Sequence, residues 1–250
     1  MRGVGTGEPE EYQVAFDRIE REVEGGRTDL AELGFWRLVR RVKVEPRLAE
    51  HWADQIGRID DRAFRRRVRF RPPVWVGNAL LLAGTAVLIA AIPWSLAVAR
   101  DDHESVLAGL MAVVAAGGLI VTLHDPSHWA VGRLGGIRFT AYFLDGPTRI
   151  QPALKIDYAS YLRASPGARA WMHAAGAIAS KLAPFAVFAA FYLPHRAAGY
   201  DLLPSWALWA ILAIGVVQLI TDVTFSARKA DWKKVRRELR VARAQRAERF

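Results

Sequence analysis

The chain has no cysteine among its 250 residues, and that absence removes disulfide frameworks, thiolate zinc sites and cysteine nucleophiles together. Any metal it holds must be held by histidine and carboxylate. Acidic residues are in short supply as well, 25 Asp and Glu against 35 Lys and Arg, giving a formal net charge of +10. The first thirty residues carry no apolar stretch, so no cleaved signal peptide is expected and the first membrane span should serve as the address. No internal repeat or low-complexity tract is evident.

What the chain does have is apolar residues gathered into blocks. Four stretches, roughly 74–99, 105–135, 169–193 and 203–226, are long enough to cross a bilayer core, which takes about 20 helical residues. The basic residues sit beside these blocks, in "RAFRRRVRFR" (62–71) before the first and "RKADWKKVRRELR" (228–240) after the last. That placement points to membrane lipids, not nucleic acid, as the anionic partner. The connections near 100–104 and 194–202 contain only Arg100 and Arg196, whereas 136–169 contains Arg138, Arg149, Lys155, Arg163 and Arg169. Both termini and the 136–169 segment are therefore expected on the cytoplasmic side.

The expected fold is an all-α polytopic membrane protein with four transmembrane helices, a helical cytosolic module over 1–72, a membrane domain over 73–227 and a basic cytosolic tail over 228–250. In the module, Pro9 among Glu8, Glu10 and Glu11 opens a first helix and Gly25-Gly26 closes it. Thr28-Asp29 opens a second and Pro46 a third, which carries Leu48, Trp52 and Ile56. Between the second and third spans, "IRFTAYFL" and "RIQPALKIDYASYL" flank the turn "DGPT", which predicts a cytosolic hairpin within 137–162.

The chemistry concentrates in "TLHDPSHWAVGRLGG" (122–136). His124 and His128, four apart, share a helix face with Cβ atoms about 5–6 Å apart, close enough to hold one Zn²⁺ between their imidazoles. A carboxylate directly after the first His can address the metal-bound water, as the acid of H-E-x-x-H does, which makes Asp125 the general base. Asp125-Pro126 also reads as an ordinary helix opening, with Asp as the cap and Pro at the first position.

Depth adds weight to the metal reading, since ionisable groups inside spans are costly and usually functional. His124 lies about 19 residues inside the second span and Asp222 about 19 inside the fourth, roughly 28 Å at helical rise. Asp222 thus becomes the third ligand of a His₂-carboxylate zinc site with a fourth position open. Lys181, about twelve residues into the third span, is expected to face the bundle interior near Asp125 or Asp222, either to stabilise an oxyanion or to pair structurally.

Over about 105–226 the order of these parts resembles the site-2 protease-like intramembrane zinc metalloproteases. "HDPSHWAVGRLGGIRF" is similar to that family's first motif, which would make His124 and His128 metal ligands and Asp125 the base. "AGAIAS" (175–180) resembles the middle motif, placing Ser180 among the catalytic residues where the family has Asn. "ITDVTFS" resembles the last, which carries the third ligand onto Asp222. Asp125 replaces Glu, Pro126 enters the motif, and Val223 stands where Gly is usual. Leu144-Asp145-Gly146 spells a literal LDG but falls in the hairpin region and reads as a turn.

The resemblance implies a metal-activated water that hydrolyses a peptide bond in a transmembrane or juxtamembrane protein substrate. Two other readings keep the same residues. One is a catalytically inactive metal-binding scaffold for membrane partners. The other is a small transporter or ion pathway that uses His124, Asp125, Lys181 and Asp222 as a relay.

Overall fold

A computed structural model of the chain describes residues 8–144, 152–198, 202–221 and 231–247. Its first three helices, α1 (Glu8–Glu24), α2 (Phe35–Val42) and α3 (Pro46–Arg67), close around a core of their own. Phe16, Ile19 and Val23 recur along one face of α1 and meet Phe35, Val39 and Val42 of α2 and Trp52, Ile56 and Ile59 of α3. The second helix begins at Phe35, not directly after Thr28-Asp29. Asp29 caps only a local turn through Ala31 N–H, and Gly34 at φ 75° resets the chain direction before the helix starts. The basic run at 62–71 is largely the end of α3, where Arg66 donates to the carbonyls of Val23 and Glu24 and caps the end of α1.

Helices α4 (Val74–Asp101) and α5 (Val106–Leu134) are each long and apolar enough to cross a membrane, with mean hydropathies of 2.1 and 2.4. The third such stretch is Pro166–Pro194, within α7 (Pro166–Ala198), with a mean hydropathy of 1.6. The burial pattern of α4 is inverted relative to a water-soluble helix. Its buried residues are Asn78, Thr85, Ser95 and Ala99, while Leu80, Val87 and Trp94 point outward. Each inward polar group finds a partner: Ser95 Oγ donates to the Ala108 carbonyl, Thr85 Oγ1 to that of Leu81, and Asn78 Oδ1 accepts from Tyr142. Such a surface is stable when lipid covers it. Helix α8 (Ser205–Thr221) packs on α5 and α7 through Ala207, Ile211 and Gly215. At 17 residues it rises about 25 Å, short of a full bilayer core, and residues 222–226 of the expected fourth span lie outside the described residues.

The hairpin forms where expected, as β1 (Phe139–Phe143) antiparallel to β2 (Ala153–Ile156), with a bulge between Phe139 and Ala141. Asp145 and Gly146, and with them the turn, lie outside the described residues. The far edge of β1 is taken up by the approach to α4, since Tyr142 N–H donates to the Pro72 carbonyl and Ala141 bridges to Pro73. The outer edge of β2 has no strand beside it among the described residues. A short helix, α6 (Tyr158–Arg163), follows and joins the first core through Ala159 and Leu162.

The basic tail expected over 228–250 carries a helix, α9 (Asp231–Ala247). Its run of Lys, Arg, Leu, Glu, Ala and Gln has no Gly or Pro to stop it. Val235 and Trp232 pack on Ala170, Ala174 and Ile178 of α7, while Gln245 donates to the Val44 carbonyl after α2. Glu238, fully buried, accepts from Lys43 and Tyr161 and pairs with Arg169 at 2.9 Å. Helix α9 thus ties the N-terminal module to the start of α7.

Candidate metal centre

Helix α5 runs without a break through Pro126, so Asp125-Pro126 does not open a helix here. His124 and His128 therefore remain one turn apart on the same face, with ring centroids 4.7 Å apart and Nε2 atoms at 3.2 Å. Both imidazoles are held from behind. His128 Nδ1–H donates to the Met172 carbonyl of α7 at 2.6 Å, a partner that can only accept. Ser180 Oγ–H donates to the Ala177 carbonyl, which leaves its lone pairs to face His124 Nδ1 at 3.5 Å. These partners place the proton of each ring on Nδ1 and leave both Nε2 lone pairs directed at the same point.

A carboxylate meets them there. Asp231 Oδ2 lies 3.5 Å from His124 Nε2 and 3.3 Å from His128 Nε2. Three acceptor atoms this close repel one another unless a metal ion, or a proton on an Nε2, lies between them. The spacing fits zinc: with bonds of 2.0–2.2 Å the edge of a tetrahedron is roughly 3.3–3.6 Å. His124, His128 and Asp231 are the group of metal-ligating side chains found among the described residues. Burial alone would raise the Asp231 carboxyl; where the imidazoles are protonated at Nε2 as well and donate to it, they and the Lys234 ammonium outweigh burial and hold the carboxyl below its usual range. Lys234 Nζ lies 3.0 Å from the other oxygen, Oδ1.

Close packing of α5 on α7 depends on Gly176. A Cβ built there would lie 2.6 Å from His128 Cδ2, against Nε2 of the same ring, and 2.7 Å from the His124 carbonyl. Gly132 plays a similar part where β1 and α7 meet α5, with Phe139 and Met172 occupying the space its side chain would need.

A cavity of about 460 Å³ opens from these three side chains. Asp125 and His173 line it, with Ala153, Leu154 and Ile156 of β2 along one wall. His173 is buried and its Nε2 lies 2.9 Å from the Tyr161 hydroxyl. That hydroxyl already donates to Glu238, so it accepts from His173 Nε2–H.

Of the residues read from sequence, His124, His128, Asp125 and Ser180 come together. Lys181 is half-buried on α7, next to Ser180, and does not line the cavity; Lys234 does. Asp222, expected as the third ligand, lies outside the described residues, and the carboxylate beside the histidines is Asp231. Asp231 was hidden inside a run that reads as juxtamembrane basic charge. The signal for it was an isolated acid at the start of an uninterrupted helical stretch. The Met172 carbonyl, being backbone, left no trace in the residue pattern.

Comparison of the chain with protein-family models, with curated proteins and with solved structures gives no match.

Proposed function

We propose that this chain is an intramembrane zinc metalloprotease-like protein with four spans and cytoplasmic termini, acting on membrane-embedded protein substrates. The observation that carries the reading is the convergence of His124 Nε2, His128 Nε2 and Asp231 Oδ2 at 3.2–3.5 Å, with both rings fixed from behind. Zinc bound there would supply Lewis acidity and a nucleophilic water at neutral pH.

The chain's own residues account for the remaining needs of such a reaction. Asp125, buried on the cavity wall beside both histidines, is the group available to hold and pass on a proton. The open edge of β2 offers main-chain hydrogen bonds to an extended substrate segment, and this is the strand that faces the cavity. An extended segment is what such a reaction requires, because the carbonyls of a helical substrate are already hydrogen-bonded.

The test is metal analysis coupled to a cleavage assay in proteoliposomes. About one zinc per chain is expected, lost in His124→Ala. Cleavage of transmembrane peptides should be abolished in Asp125→Asn with the zinc retained. Unchanged metal content in His124→Ala would overturn the reading. Zinc binding with no cleavage of any transmembrane peptide would leave a metal-binding scaffold.

A further inference from the structure

A second cavity, of about 500 Å³, lies between α2, α9 and the start of α7 and shares Ile156, His173 and Lys234 with the first. Its wall is strongly basic. Arg37, Arg40 and Lys43 approach from α2 and its C-terminal cap, and Lys234 and Arg237 from α9. Among the described residues no carboxylate lines it. Lys43 and Arg237 are partly neutralised by Glu238 behind the wall, and Lys234 by Asp231. Arg37 and Arg40 are exposed and make no ion pair with any described residue. Two guanidinium groups left unpaired beside three further cations form a concave positive field, and guanidinium forks match phosphate oxygens in pairs.

The cavity is also too large for a bare anion and has an aromatic side. Trp36 and Tyr158 contribute rings 5.3 Å apart, and Tyr161 lies beneath Lys43. Its volume is that of a small-molecule site. We infer that this cavity binds a phosphoester, with the phosphate held by Arg37 and Arg40 and the body of the ligand against Trp36 and Tyr158. The chemistry is shared by two sources, a soluble phosphorylated metabolite and the headgroup of an anionic phospholipid. This inference does not rest on the proteolytic reading, since none of the cavity's unpaired cations touches the candidate metal ligands.

The test uses the full chain purified in detergent, with EDTA present so that no metal meets the probe, at about 150 mM salt to screen diffuse attraction. Calorimetric titration with inorganic phosphate and with adenosine monophosphate reports the soluble source. Melting in nanodiscs of phosphatidylcholine, with and without phosphatidylglycerol, reports the headgroup. Arg37→Ala/Arg40→Ala should weaken the soluble probes at least tenfold or abolish the rise in melting temperature given by phosphatidylglycerol. Arg18→Ala/Arg47→Ala removes the same charge from exposed positions outside the cavity and should do neither. The inference fails if no probe binds and phosphatidylglycerol has no effect, if Arg37→Ala/Arg40→Ala responds as wild type, or if both double variants lose binding equally.

Discussion

His128 donates its Nδ1–H to the main-chain carbonyl of Met172, so the tautomer of a ring on α5 is set by the backbone of α7. The nitrogen that faces His124 and Asp231 is thereby Nε2, and this orientation depends on how closely the two helices approach.

That approach runs through Gly176. Gly176→Ala places a methyl against the His128 ring and the His124 carbonyl, and neither the ring nor the helix backbone can yield cheaply. Overpacking of this kind costs about 1–3 kcal/mol. The expected outcome is a lowered melting temperature together with loss of bound zinc, read by denaturation and metal analysis on the same preparation. Full zinc occupancy in this variant would contradict the close packing described.

Ser180→Ala removes the acceptor behind His124 and, with it, the hydroxyl's own bond to the Ala177 carbonyl. Loss of a group that orients a metal-ligating imidazole typically costs 10–100-fold in affinity, and the 3.5 Å separation places this case near the lower end. Zinc affinity measured by competition with a chelator should fall about tenfold, with the melting temperature of the metal-free protein nearly unchanged.

The identity of the carboxylate ligand is settled by two variants measured side by side. Asp231→Asn keeps the side-chain shape but removes the charge, and should lose zinc; Asp222→Asn should retain it. The reverse result would restore the ligand expected from matching depths in the second and fourth spans.

Lys43 gives the fold a pH dependence. Burial pushes its ammonium down to about 7 from 10.5, with Glu238 opposing the shift and Arg169 and Arg237 adding to it. Between these values the unfolded chain holds a proton that the folded chain has released, so stability rises with pH across about 7 to 10.5. Below about 7 both states carry the proton and this contribution to the slope vanishes. Lys43→Met, which keeps the stem against Tyr161, should flatten the rise in melting temperature measured from pH 7 to 9.5.

Much of this architecture was legible in the residues. The His pair, Asp125 and Ser180 could be read because helical spacing and span depth act locally on side chains. Three of the apolar blocks became helices long enough to span, and the hairpin formed from the β-branched and aromatic runs. Asp231 could not be found by the same means. Its partners lie more than one hundred residues earlier, and α9 returns to them through Trp232 and Val235 packed on α7 and through Glu238 held between Lys43 and Arg169, long-range contacts with no periodic signature. The later start of α2 shows the opposite limit: a single left-handed Gly34 outweighed a plausible capping signal six residues upstream.

The order in which the ligands occur along the chain has a consequence for biosynthesis. His124 and His128 enter with the second apolar helix, but Asp231 follows every described helix of the membrane domain, on a helix whose Glu238 pairs with Lys43 from near the beginning. During translation the two histidines spend a long interval without their carboxylate. The three groups can meet only once α9 has been synthesised and has packed on the start of α7. A chain arrested or clipped before α9 would keep α4, α5 and α7 yet lack Asp231, so on the metal reading proposed above completeness of synthesis decides whether the three groups can meet at all.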